Sequence, residues 1–174
     1  MNDNLQPFDS VVLDIETHRE IGFNESLIAL EAIKNLKSRY LAAVDNKDWS
    51  AMEGIFTDDA VIDFSGEDQH HVGHHGITGE HLNPVKTVVR GGKEAAVRIE
   101  KAVGGIITVH QGHDPQLTLT SPLTAKGMWT LYDQLDYGNE VMHGYGHYHE
   151  TYLLKNGRWQ ISSMLLTRIK VDWE

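Results

Sequence analysis

The sequence predicts an α+β fold: helices packed on one curved sheet, mixed or antiparallel, that wraps around them as a cone with an internal cavity. Three observations carry that expectation. Apolar residues recur every three or four positions through the first half of the chain. After Gly104 and Gly105 the pattern changes to a period of two. Turn signals then separate long alternating runs, which is the order of elements in an α+β domain. At 174 residues the chain fits one domain with a sizeable core.

Residues 1–23 are mixed in character and read as an N-terminal arm, leaving 24–174 as the cone domain. From Asn24, the residues Leu27, Leu30, Ile33, Leu36 or Lys37, Tyr40 and Val44 form one helix face, with Asn24 or Ser26 placed to cap its start. The segment DNKD breaks this helix, and Asp48 is placed to cap a second short one with Trp49, Met52, Ile55 and Phe56 on its apolar side. TDDAVIDFSG reads as a turn and a short strand with Ala60, Ile62 and Phe64 on one side. Residues 65–83, rich in Gly and His, read as a surface loop, and KEAAVRIEKAV (93–103) as a third helix. The strand IITVH ends at His110 before a bend at QGHDP, and Leu117 and Leu119 begin a new alternation. Ala125, Gly127, Trp129, Leu131, Asp133 and Leu135 share one parity of the next run. DYGNE and the Asn-Gly of KNGRW then mark hairpin turns on either side of GYGHYHETYLL.

A formal charge of −10, from 25 acidic and 15 basic side chains, argues against nucleic acid and anionic membranes as partners. With no cysteine, thiolate nucleophiles, disulfides and cysteine-based metal sites are excluded. No apolar run reaches 18 residues and MNDNLQPFDS lacks a signal pattern, so a cytoplasmic location is expected.

Several polar residues fall where apolar ones belong. Tyr40 lies in the helix stripe, as a core tyrosine or as a donor into the cavity. Asp45 ends that helix, where the dipole disfavours a carboxylate, so it calls for a partner such as an imidazole. Asp133 has the parity of the core face and needs a partner, with Arg168 a candidate near the end of the last strand. That pair reads equally as structural or functional. His110 can exchange a proton near neutral pH, and an aspartate on one ring nitrogen would fix the other as a base. His113 lies in the following turn. The run HHVGHH (70–75), with His81 beyond, lacks an acidic or cysteine ligand at a recognised spacing. It reads as a flap over the cavity mouth, and no metal site is assigned. Tyr145, His147 and His149 form a ladder on one face of a strand.

Three stretches, EAIKNLKSRYLAAVDNKDWSAMEGIFTDDAVIDFSG, VHQGHDPQLTL and HETYLLKNGRWQISSMLLTRI, resemble the SnoaL-like branch of the nuclear transport factor 2-like (cystatin-like cone) superfamily. The resemblance spans roughly residues 27–172, is nearest to the bile-acid 7α-dehydratases, and extends more distantly to scytalone dehydratase and hexachlorocyclohexane dehydrochlorinase. By resemblance, the catalytic positions fall on Tyr40 in a Lys-x-x-Tyr pattern, Asp45 five residues later, and His110 in the His-x-Gly-His-x-Pro motif. Asp133 follows Gly127 and Trp129, and Arg168 lies nine residues beyond Trp159. Substrate contacts are expected from Trp129, His113, Phe64 and Met164. The 65–83 loop and the arm have no counterpart in that pattern.

The expected activity is that of a cofactor-independent lyase of the dehydratase type, or an isomerase, using a His110–Asp45 dyad on a small hydrophobic cyclic substrate. The alternatives are a cone that binds small molecules without catalysis, and the small subunit of a ring-hydroxylating oxygenase. A homo-oligomer, dimer or trimer, is expected through the sheet face or the arm.

Overall fold

Six strands form one sheet in the order β2-β1-β6-β5-β4-β3. The computed structural model describes residues 21–68, 70 and 88–174. The strands are β1 (Phe56–Asp63), β2 (Val88–Arg90), β3 (Ile107–Ser121), β4 (Thr124–Asp136), β5 (Val141–Lys155) and β6 (Arg158–Trp173). From β3 to β6 they run as an antiparallel meander, while β1 lies parallel to β6 and antiparallel to β2. The sheet is therefore mixed, because helical crossings separate β1 and β2 from the rest.

Helix α1 (Phe23–Asp45) crosses the concave face and buries Ile33, Leu36, Lys37, Tyr40, Leu41, Ala43 and Val44. Leu36 and Lys37 are both buried, so the stripe is wider than the sequence suggests, whereas Leu27 is exposed. The cap is Gly22, not Asn24 or Ser26: the Glu25 carboxylate accepts from the Gly22 N–H, and Ser26 lies inside the first turn, donating to the Gly22 carbonyl. Ile21 is buried in the core, so the arm joins the body there, while residues 1–20 lie outside the described residues. Lys47 takes a left-handed φ of 58° just past the helix end, and Asp48 caps the 3-10 turn Trp49–Met52 by accepting from the Ala51 N–H.

Helix α2 (Ser65–Asp68) occupies the start of the expected loop. Helix α3 (Gly92–Val103) packs on β1 and β2, with Ala95, Ile99 and Val103 buried. His71, His74, His75 and His81 of the expected flap lie outside the described residues, while the His70 carbonyl accepts from the Trp173 indole N–H.

Strand β3 does not stop at His110. It runs on to Ser121 with a shift of register between His113 and Gln116, and Asp114 takes a φ of 48°. Pro115 has no N–H for the ladder, so the chain absorbs the Asp-Pro step as a bulge instead of turning. Along β5 burial alternates strictly: Met142, Gly144, Gly146, Tyr148, Glu150 and Tyr152 face the core, and His143, Tyr145, His147 and His149 face outward. No helix among the described residues is long and apolar enough to cross a membrane.

Candidate active site

The end of α1 brings Asp45 to the start of β3. Asp45 Oδ1 lies 2.6 Å from His110 Nδ1 and accepts from the Thr108 hydroxyl at 2.8 Å, while Oδ2 accepts from the His110 backbone N–H at 2.8 Å. Lys47 Nζ donates in turn to Thr108 Oγ1 at 2.7 Å. Burial works against the Asp45 charge, but the bonds from the His110 ring and backbone and from Thr108 outweigh it. They hold its carboxyl below the ordinary value. With Nδ1 donating to the carboxylate, Nε2 is the ring nitrogen left to accept a proton.

Strand register sets Asp133 directly opposite His110 on the same concave face. Arg168 Nη1 and Nη2 donate to the two Asp133 oxygens at 2.9 and 2.8 Å, a bidentate fork. Its Nε donates to Glu67 of α2 at 2.5 Å. Both members of the fork are nearly sealed from solvent, at 2% and 3% exposure. Burial pushes the Asp133 carboxyl up against the pull of Arg168, while Glu67 and Asp133 keep the guanidinium charged despite its burial. The room for the fork comes from Gly144, opposite Asp133 on β5, where any Cβ would collide with Asp133 Oδ1 and Arg168 Nη1.

Tyr40 lies within the field of both groups. Burial first, then the carboxylates of Glu150, Asp133 and Asp45, push its hydroxyl well above the ordinary phenol value, and a hydrogen bond with Tyr148 opposes the shift. Its ring is edge-on to Phe56 and Tyr148. Tyr40 is therefore a neutral hydroxyl at physiological pH. The structure brings Tyr40, Asp45, His110, Asp133 and Arg168 to one side of the sheet, as a row from the end of α1 to β6.

The four residues expected to touch substrate are dispersed. Trp129 is buried and donates from Nε1 to the Tyr152 hydroxyl at 2.8 Å. Met164 is 1% exposed, within the core. Phe64 sits half-buried just beyond β1, with the Arg98 guanidinium of α3 5.8 Å from its ring centre. His113 has the opposite parity to His110 on β3, is exposed, and contacts its neighbour Asp114. The period of two puts two histidines an odd number of residues apart on opposite faces.

Sequence reading assigned no role in the site to Lys37, Glu150, Tyr148, Tyr152, Thr108 and Glu67, and placed Lys37 only as an alternative to Leu36 on the helix face. The signal for Glu150 was present: it has the parity of Tyr148 and Tyr152, opposite to the histidine ladder. A groove of about 570 Å³ lies on the other side of the sheet, lined by residues including Lys126, Met128, His149, Thr151 and Leu165, away from Asp45 and His110. Among the described residues, no three His, Asp or Glu side chains gather as metal ligands.

A family model described as the SnoaL-like domain matches residues 25–164. A solved hexachlorocyclohexane dehydrochlorinase (LinA type 2) superposes with a TM-score of 0.70 at 19% identity, covering 88% of this chain and 93% of that one. A LinA-type3 dehydrochlorinase from Novosphingobium barchaimii gives 0.70 at 18% identity, with 88% and 94% covered. A scytalone dehydratase-like protein from Novosphingobium aromaticivorans gives 0.68 at 15% identity, with 86% and 89% covered. At such identities these likenesses speak for the fold alone. The family model spans most of the chain, so the protein belongs to the SnoaL-like family.

Proposed function

We propose that the protein is a cofactor-independent lyase of the dehydratase type, acting on a small hydrophobic cyclic substrate. The observation that carries this reading is the 2.6 Å contact between Asp45 and His110 Nδ1, which orients the imidazole and leaves Nε2 as the base. His110 takes a proton from the carbon next to a carbonyl, and the electron pair moves into an enolate. The neutral Tyr40 hydroxyl donates to the developing oxyanion. Collapse of the enolate expels a hydroxyl from the neighbouring carbon, which takes the proton back from His110 Nε2 and leaves as water, restoring the neutral imidazole. The protonated His110 is stabilised by Asp45, and the buried Asp133–Arg168 fork, opposite His110 in the strand register, fixes the wall of the site on that side. Two of the structural neighbours bear names that denote eliminations, loss of hydrogen chloride and loss of water.

The test is a screen of cyclic β-hydroxy ketones for loss of water, followed by His110→Asn and Asp45→Asn. We expect His110→Asn to lose about 10²–10⁴-fold in kcat while the fold is retained. Turnover unchanged in His110→Asn would overturn the reading. A second reading, a binding cone without catalysis, draws on the groove on the outer sheet face, remote from His110. Ligand binding unaffected by His110→Asn but lost in Met128→Glu would favour it.

A further inference from the structure

One turn of α1 before Tyr40, a lysine is buried against the sheet. Lys37 Nζ meets Glu150 Oε1 at 2.5 Å, with the two side chains 1% and 0% exposed. The second Glu150 oxygen accepts from the Tyr152 hydroxyl at 2.5 Å, which in turn accepts from Trp129 Nε1. The Lys37 ammonium lies 3.3 Å from the centre of the Tyr148 ring and 4.8 Å from that of Tyr40. The Tyr148 ring in turn stands edge-on to that of Tyr40, with ring centres 6.3 Å apart.

This arrangement is a poor way to gain stability. Two charges taken out of water cost more than well-packed apolar side chains of the same volume, so a buried pair is weak evidence of a stabilising role. What it does supply is geometry and charge balance. An ammonium over a ring face holds the ring by cation–π attraction, which strengthens when desolvated. The fixed Tyr148 ring then packs edge-on against the Tyr40 ring and limits its movement. Lys37 also neutralises Glu150, which would otherwise repel any negative charge developing beside Tyr40.

We propose that Lys37 and Glu150 are positioning residues of the site: through Tyr148 they hold the Tyr40 hydroxyl in place as a preset donor to an oxyanion formed beside His110. The pair does not itself touch the substrate. This rests on the reading of Tyr40 as an oxyanion donor, and the test separates the two.

The probes are substituted phenols of graded acidity, whose phenolates mimic an enolate, with binding to the full-length protein followed by calorimetry on either side of each phenol's pKa. The variants are Lys37→Met, the apolar replacement of both partners Lys37→Met/Glu150→Leu, and each combined with Tyr40→Phe. Circular dichroism establishes which variants fold, and the double replacement keeps the test informative where Lys37→Met does not. The wild type is expected to bind phenolates more tightly than the neutral phenols. The double replacement is expected to lose about tenfold or more of that preference, with neutral phenols bound within about twofold of wild type. In the Tyr40→Phe background the same replacement should change nothing further, because the hydroxyl it positions is gone. A folded double replacement with wild-type phenolate preference overturns the positioning role alone. A wild type with no phenolate preference, or one unmoved by Tyr40→Phe, overturns the oxyanion reading and this inference with it.

Discussion

Asp45 illustrates how one side chain ties α1 to β3. Its carboxylate collects three donors, from Thr108, the His110 backbone and the His110 ring. Each donor favours the ionised form, so the folded protein holds the proton less readily than the unfolded chain does. A carboxyl depressed in this way stabilises the fold above its unfolded value, near pH ~4, and that contribution disappears as pH falls through the folded value. Wild type should therefore lose stability between about pH 5 and pH 2 more steeply than Asp45→Asn, and the two should converge in acid. Denaturant unfolding across a pH series measures this, and parallel profiles would remove Asp45 as the source. Lys37 makes a second case at the same scale. Lys37→Met leaves the Glu150 carboxylate buried without its cation, and should cost about 3–5 kcal/mol in unfolding free energy. Lys37→Met/Glu150→Leu should recover most of that loss, because the charge is removed along with its partner.

At the scale of elements, the strands were more legible than the helix ends. Period-two alternation located β4, β5 and β6, and Asn156-Gly157 marked the turn between the last two, at φ values of 53° and 74°. Gly157→Ala should destabilise this hairpin by about 1–2 kcal/mol, the cost of left-handed backbone for a residue with a Cβ, as read from the thermal midpoint. Gly144 has a different reason to be glycine. Alanine there would push apart Asp133 and Arg168, so Gly144→Ala should reduce turnover as Arg168→Met does, more than its distance from His110 suggests. The strand β2, the bulge at Asp114-Pro115 and the short helix α2 were not legible. Each is short, and its conformation is decided by the neighbour it packs on, not by its own pattern.

For the molecule as a whole, the outer sheet face carries the ladder that the core leaves behind. Tyr145, Leu165 and Ile169 are exposed, and His147 and His149 stand with ring centres 6.0 Å apart. An apolar and aromatic face of this kind suits association with a second copy. Sedimentation should show a dimer or trimer, and Leu165→Glu with Ile169→Glu should shift it toward monomer. A wild type that sediments as a monomer across micromolar concentrations would count against the sheet face as an interface.

The sequence by itself determined the fold class, the alternation of faces along β4 and β5, and the residue types at Tyr40, Asp45, His110, Asp133 and Arg168. Periodicity encodes those features locally, and a polar residue in an apolar stripe stands out wherever it falls. Only the tertiary structure decided which of them meet. Asp45 and His110 are separated by 65 positions and Arg168 reaches Asp133 across 35, and both pairings depend on the packing of α1 and the register of β3 to β6. Lys37 and Glu150 lie 113 positions apart, so neither charge betrays its partner in the sequence. Burial is a property of the folded neighbourhood. Lys37 shares a helix face with Leu36 in the sequence, but only the sheet that covers it decides that its ammonium is buried.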